Sequence, residues 1–325
     1  MQSLSKLQVT TNSLLNWVLQ DKDNVIKGKP SFVFDMFAEH LASAYENLTS
    51  APSFKNINLL KFSKIDYQAE DLSFIIGIQR ELQKSGLFSS FLIHGSCADL
   101  NMVPGWSDFD AIGILKSESL SRENRYQAFE TCQKIDKMMR ALDPYQHHGI
   151  HFVHEKEMAS FPNLYLPVDL LRDSKCLLGN KSITVGRADS SSQEMSRFRG
   201  IVKTLEKASE TGALKHHAKD GKYLLENYED PNTMYQLKYL MCVVMLLPTL
   251  WLNLQGNYCQ KSESYDLIRV HFSGEDLEFL EACSSARFGW KKSYHVGNAI
   301  PEQVKKTLGT NYLARSAKFA KHQGS

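Results

Sequence analysis

Apolar residues recur at helical spacing in two stretches near the start of the chain, residues 13–19 and 34–47, the second carrying Phe37, Leu41 and Tyr45 on one stripe. Nothing in them points to chemistry, and residues 1–60 read as a helical extension. The pattern sharpens at Asp71, a residue suited to cap a helix whose Phe74, Ile75, Ile78 and Leu82 share one face and which Gly86 ends. Phe91-Leu92-Ile93 then reads as a short buried strand and Asp110-Ala111-Ile112-Gly113-Ile114-Leu115 as a second, joined by a polar loop with a Pro104-Gly105 turn.

Ser121 is placed to cap the next helix, with Ala128, Ile135, Met138, Met139 and Leu142 facing inward and Asp143-Pro144 closing it. A third strand is expected at Ile150-His151-Phe152-Val153 and a fourth short apolar run at Val168-Asp169-Leu170-Leu171. This mixture predicts an α+β domain over residues 61–190. A serine-rich linker around Asp189 leads into residues 191–325, which read as almost wholly helical. Their most apolar stretch, residues 239–254, contains Pro248 and is too short to cross a bilayer, so it reads as a buried core helix.

Composition narrows the partners. Of the 325 residues 42% are hydrophobic, enough for two domains, and 38 Lys plus Arg stand against 36 Asp plus Glu. A net charge of +2 gives no broad field for gripping a long polyanion, so nucleic acid is not the expected partner. The six cysteines include no C-x-x-C pair, which argues against a zinc ribbon, and with the absence of a basic, apolar leader at Met1–Leu7 the expectation is a cytoplasmic protein without membrane attachment.

The chemistry-bearing segment is Phe91-Leu92-Ile93-His94-Gly95-Ser96, then eleven residues, then Asp108-Phe109-Asp110 entering a strand. Gly95-Ser96 just after a strand permits a tight turn whose amides and hydroxyl can face phosphate oxygens, where a larger side chain would block the approach. Asp108 and Asp110, one residue apart at a strand start, are placed to project both carboxylates from one face. Such a pair suits Mg²⁺, an ion that takes oxygen ligands and shares them with phosphates.

In these residues, and in Pro104-Gly105-Trp106-Ser107-Asp108-Phe109-Asp110 as a unit, the sequence resembles the DNA polymerase β-like nucleotidyltransferases, in the form found in bacterial small-molecule enzymes such as aminoglycoside adenylyltransferases. The close likeness covers about 25 residues and a looser one residues 71–180. It implies a catalytic domain over residues 61–190 that moves a nucleoside monophosphate, AMP foremost, from a nucleoside triphosphate such as ATP to a hydroxyl of a small-molecule acceptor, with two Mg²⁺ ions. Ser107 joins Gly95 and Ser96 among the implied nucleotide contacts.

The resemblance also implies a third carboxylate on a later strand, serving as metal ligand or general base. Val168-Asp169-Leu170 makes Asp169 the choice, while His151, at the centre of the preceding strand, is the fallback base and Glu155 is expected to matter little. In the helical part, Gly256 followed by Lys261-Ser262 looks like an adenylyltransferase element that opens a helix towards the triphosphate, so Lys261 is a further candidate phosphate contact. His147, His148, His151 and His154 cluster without zinc-like geometry, His216-His217 reads as helix surface, and Arg172 and Lys175 as surface charges. Two other functions stay open: a nucleotide-binding or regulatory protein without turnover, and a transferase acting on a protein or an RNA end.

Overall fold

The computed structural model describes Glu39 and residues 57–61, 63–64, 73–98, 106–142, 150–161, 168–179, 182–186, 191–211, 234–272, 274–287, 306–309 and 311–324. Apart from Glu39, the two helices expected before residue 50 lie outside these residues, as do Asp71, Pro104-Gly105, Asp143-Pro144, His147, His148 and His216-His217. The chain divides into two compact units, one of Met1–Leu100, Asp108–Asp189 and Lys219–Gly221, the other of Asn101–Ser107, Ser190–Ala218 and Lys222–Ser325.

The first unit is α+β. Its elements in chain order are β1 (Ile57–Lys61), β2 (Ser63–Lys64), α1 (Ser73–Ser85), β3 (Phe88–His94), β4 (Asp110–Leu115), α2 (Arg125–Leu142), β5 (His151–His154), β6 (Lys175–Gly179) and β7 (Ser182–Gly186). A mixed five-stranded sheet runs β2-β6-β3-β4-β5, and β1 pairs separately with β7. β3 is central and antiparallel to both β4 and β6, whereas β5 lies parallel to β4 and β2 parallel to β6.

Alternation along the strands sorts side chains to two faces. Phe91 and Ile93 of β3, Ala111 and Leu115 of β4 and Phe152 of β5 pack with Ile78 and Leu82 of α1 and with Ile135 and Met139 of α2. Gly113 belongs in this layer because a Cβ there would come within 2.9 Å of the Phe152 ring and 3.0 Å of Phe88, whose ring centroids are 6.2 Å apart. On the other face Leu92, Ile112, Ile114 and Val153 form a second cluster with Val168, Leu171 and Cys176.

Three details differ from the sequence reading. Val168–Leu171 is a 3₁₀ helix, not a strand, and the strand follows at Lys175–Gly179. Val168 and Leu171, three residues apart, both enter the second cluster, which is the eclipsed spacing of a 3₁₀ turn and not the alternation of a strand. Ser121 does not open α2: it follows a 3₁₀ turn at Ser117–Leu120, and the helix starts at Arg125, with the Ala128 amide donating to the Asn124 carbonyl at 2.8 Å. β3 is longer than expected, starting at Phe88, two residues after Gly86, whose positive φ of 67° follows the end of α1 at Ser85.

The second unit is helical in its described residues: α3 (Ser191–Thr211), α4 (Met234–Leu254), α5 (Lys261–Ile268), α6 (Glu275–Ala286) and α7 (Tyr312–Gly324). α4 is the core helix that its composition predicts, with Leu240, Val244, Leu247 and Leu250 buried among Phe198, Phe279 and Phe319, and Pro248 lies inside it. Phe279 and Phe319 meet edge to face, and the Arg315 guanidinium lies 4.7 Å above the Phe279 ring centre. Trp106 is buried in this same cluster although Asp108, two positions on, belongs to the first unit. Among the described residues no helix is long and apolar enough to cross a membrane.

Candidate functional site

The end of β3 and the start of β4 come together because the two strands are antiparallel neighbours, with His94 directly opposite Asp110. After His94 the chain turns through a 3₁₀ helix, Gly95–Cys97, closed by the Ala98 amide donating to the Gly95 carbonyl at 3.0 Å. Gly95 has a φ of 66°, the left-handed region that L residues with side chains avoid. A Cβ at this position would lie 2.7 Å from Oδ2 of Asp110, too close for any real contact. Two independent demands, backbone conformation and space beside the carboxylate, therefore fall on one glycine.

A further link ties the turn to the other aspartate. The Cys97 thiol donates to the Asp108 backbone carbonyl at 3.5 Å, and both residues are buried. Phe109, between the two aspartates, is sunk in the helix-side cluster. Asp110 lies two positions before Ile112 and so shares the opposite face with Ile112, Ile114 and Val153. Asp108 is 8% exposed and Asp110 half-buried, while Gly95 is exposed and Ser96 and Ser107 are half-buried. The result is a glycine-serine turn lying against the Asp110 carboxylate and tied through Cys97 to the backbone of Asp108.

Asp169 is held differently. It sits on the 3₁₀ helix described above, with the Arg172 guanidinium 3.6 Å from Oδ1, so the strand position expected for it is not realised. Among the described residues no group of three or more His, Cys, Asp or Glu side chains is arranged to hold a metal ion. The pair Asp108 and Asp110 still suits Mg²⁺, which protein sites commonly bind through one or two carboxylates with substrate phosphate oxygens completing the shell. Because Gly95 has no Cβ, the glycine-serine turn lies directly against Asp110 Oδ2, which fits that mode of binding.

The strand next to Asp110 on the other side is β5, where His151 pairs with Ile112. Beyond β5 the polar side chains are engaged structurally. Glu155 Oε1 accepts the Ser117 amide at 2.9 Å and the Ser117 hydroxyl at 2.5 Å. Glu157 is buried and accepts the His154 amide at 2.8 Å. The Lys156 amide donates to Nδ1 of His154 at 3.3 Å, which leaves the proton of the neutral ring on Nε2, 3.3 Å from the Ser117 carbonyl. Burial lowers the pKa of His154 below the usual range, partly opposed by that carbonyl.

Lys261 is the first residue of α5, as its sequence context predicts, after a turn in which Gly256 has a φ of 79°. A reciprocal cap fixes the helix start, with the Gln260 amide donating to Glu263 Oε2 at 2.8 Å. Ser264 hooks it to α4: its hydroxyl donates to the Lys261 carbonyl at 2.7 Å and lies 3.1 Å from Thr249 Oγ1. Tyr265, one turn on, has its hydroxyl pKa raised by burial against the pull of the Lys261 and Arg287 charges. Arg287 is thus a second cation acting on Tyr265, and no motif in the sequence marks it. The sequence was equally silent on His94, whose place opposite Asp110 comes from pairing across the sheet, and on Cys97, whose thiol bonds the Asp108 carbonyl from a 3₁₀ turn.

No protein-family model matches the chain, and no curated protein matches it.

Proposed function

We propose that the β3–β4 site binds a nucleoside triphosphate with Mg²⁺ and that the protein is a nucleotidyltransferase of the DNA polymerase β type, moving a nucleoside monophosphate, AMP foremost, to a hydroxyl of a small molecule. The observation that carries this reading is Gly95. A left-handed glycine whose missing Cβ lets the backbone turn close directly on Asp110 Oδ2 is what a site needs if phosphate oxygens held by the turn are to meet a cation held by that carboxylate.

The amides and hydroxyl of Gly95-Ser96 would hold phosphate oxygens, with Ser107 beside the carboxylates as a further polar contact. Asp108 and Asp110 would hold Mg²⁺, which when bound offsets phosphate charge and makes a coordinated oxygen more acidic. Cys97 and Phe109 keep those carboxylates in place, the one through the Asp108 carbonyl and the other from within the core. Lys261, with a charge at a helix start, is proposed as a triphosphate contact and is tested separately. Asp169, bound to Arg172 on its 3₁₀ turn, has no part in holding the metal in this scheme.

The test is incubation with each α-labelled nucleoside triphosphate and Mg²⁺, with and without a cellular metabolite extract, followed by product analysis. The expected result is Mg²⁺-dependent release of pyrophosphate and transfer of label to an extract component. Absence of both label transfer and triphosphate binding would contradict the proposal.

A further inference from the structure

We infer that His151 is the proton acceptor of this site, an inference that rests on the nucleotidyltransferase reading above. Transfer to a hydroxyl forms a bond between the acceptor oxygen and the α-phosphorus and breaks the bond from that phosphorus to the oxygen bridging to the β-phosphate. The electron pair leaves with pyrophosphate. The hydroxyl proton must also go somewhere, and a positioned base with an accessible lone pair takes it. Carboxylates engaged with a metal are poor acceptors, so the group has to come from elsewhere on the same face.

Sheet topology narrows the choice. β5 is the parallel neighbour of β4, and His151 is in register with Ile112, two positions from Asp110. Ile112 and Val153 share the cluster on the Asp110 face, so His151, two before Val153, projects to that face at the end of β5 nearest the carboxylates. Strands about 4.8 Å apart with a rise of about 3.3 Å per residue put the backbone of His151 roughly 8 Å from that of Asp110, within reach of a long or aromatic side chain. The ring is half-buried, so it can be held in place and still meet a bound hydroxyl.

His154, Glu155 and Glu157 lie at the far end of β5, where His154 is in register with Leu115. Glu155 is taken by Ser117, and Glu157 by the His154 amide. His154 is buried and braces the Ser117 turn. His94 lies opposite Asp110 but is only 8% exposed. Asp169 is off the strand and beside the Arg172 guanidinium. Neutral imidazole, which takes up a proton near neutral pH, has the chemistry that the step requires.

The experiment uses the full chain with ATP, CTP, GTP and UTP in turn, Mg²⁺, and glycerol in water as hydroxyl acceptors, reading pyrophosphate release in single turnovers and triphosphate affinity by calorimetry. His151→Ala is expected to keep the affinity within about threefold and to lower turnover at least about a hundredfold, with added imidazole restoring part of the rate. Asp169→Ala is expected to stay near the wild-type rate. Normal turnover in His151→Ala overturns the inference, as does a loss that imidazole leaves untouched. If His151→Ala does not fold, His151→Gln decides between the same two outcomes by its rate alone, a normal rate overturning the inference. Wild-type protein that binds triphosphate without turnover also overturns it, whereas wild-type protein that binds no triphosphate removes the transferase reading itself.

Discussion

Gly95 and Asp110 fit against each other so closely that a methyl group on the glycine would sit 2.7 Å from the carboxylate oxygen Oδ2. Strand pairing brings this about, since His94 and Asp110 are partners across the β3–β4 ladder and Gly95 turns away at the next position. The glycine and the aspartate therefore act as one unit, and a change in either disturbs the other.

Gly95→Ala should cost about 1–2 kcal/mol for placing an L residue in the left-handed region. It should also push Asp110 aside. The expected result is a folded protein, by circular dichroism, with a lowered Tm and a loss of Mg²⁺-dependent triphosphate affinity of about tenfold or more. Unchanged affinity in a folded variant would show that the close fit of the turn against Asp110 does not serve a ligand.

Much of this site was legible in the sequence because its signals are local. A strand ending in Gly95-Ser96 and a strand opening at Asp110 could be read from short apolar runs and turn residues, and the helix start at Lys261 from the preceding glycine turn. The strand order could not. That β5 adjoins β4 while β6 crosses to the far side of β3 depends on pairings between distant segments, to which periodicity is blind. Val168-Asp169-Leu170-Leu171 misled for a related reason. Four apolar-rich residues fit a strand or a tight turn equally well, and packing of Val168 and Leu171 on one cluster decides for the turn. The Ser117, His154 and Glu155 contacts join residues 37 and 38 positions apart and leave no mark in either segment.

The buried His154 makes a definite pH prediction. Its folded pKa lies below the ordinary value of 6.5 because burial disfavours the charged ring. The unfolded chain then binds the proton more readily, so this contribution to stability is present above about pH 6.5 and is lost as pH falls through the unfolded value towards the folded one. Urea unfolding at about pH 7.5 and about pH 5.5 should show a lower midpoint at the acid pH. His154→Gln should reduce that difference, and an identical pH response in the variant would assign it to other groups.

Lys261→Ala should weaken triphosphate binding more than monophosphate binding. A charge-assisted contact to phosphate is worth about 1.5–3 kcal/mol where it is well sheltered, and Lys261 is only half-buried, so a loss of about tenfold is the expectation. Titrating ATP and AMP separately into both proteins measures it. Equal losses for the two ligands would point to the fold or to a base contact, and no loss would remove Lys261 from the phosphate site.

The central claim is that Asp108 and Asp110 bind the cation through which a triphosphate is held, and it is tested most directly by calorimetric titration of ATP, with and without Mg²⁺, into wild-type protein, Asp108→Asn and Asp110→Asn. These near-isosteric changes remove a charge and add little strain, so circular dichroism should show both variants folded. Mg²⁺ should tighten ATP binding to the wild type, and each variant should lose about tenfold or more of that enhancement. The same Mg²⁺ enhancement in both folded variants as in the wild type would contradict the account.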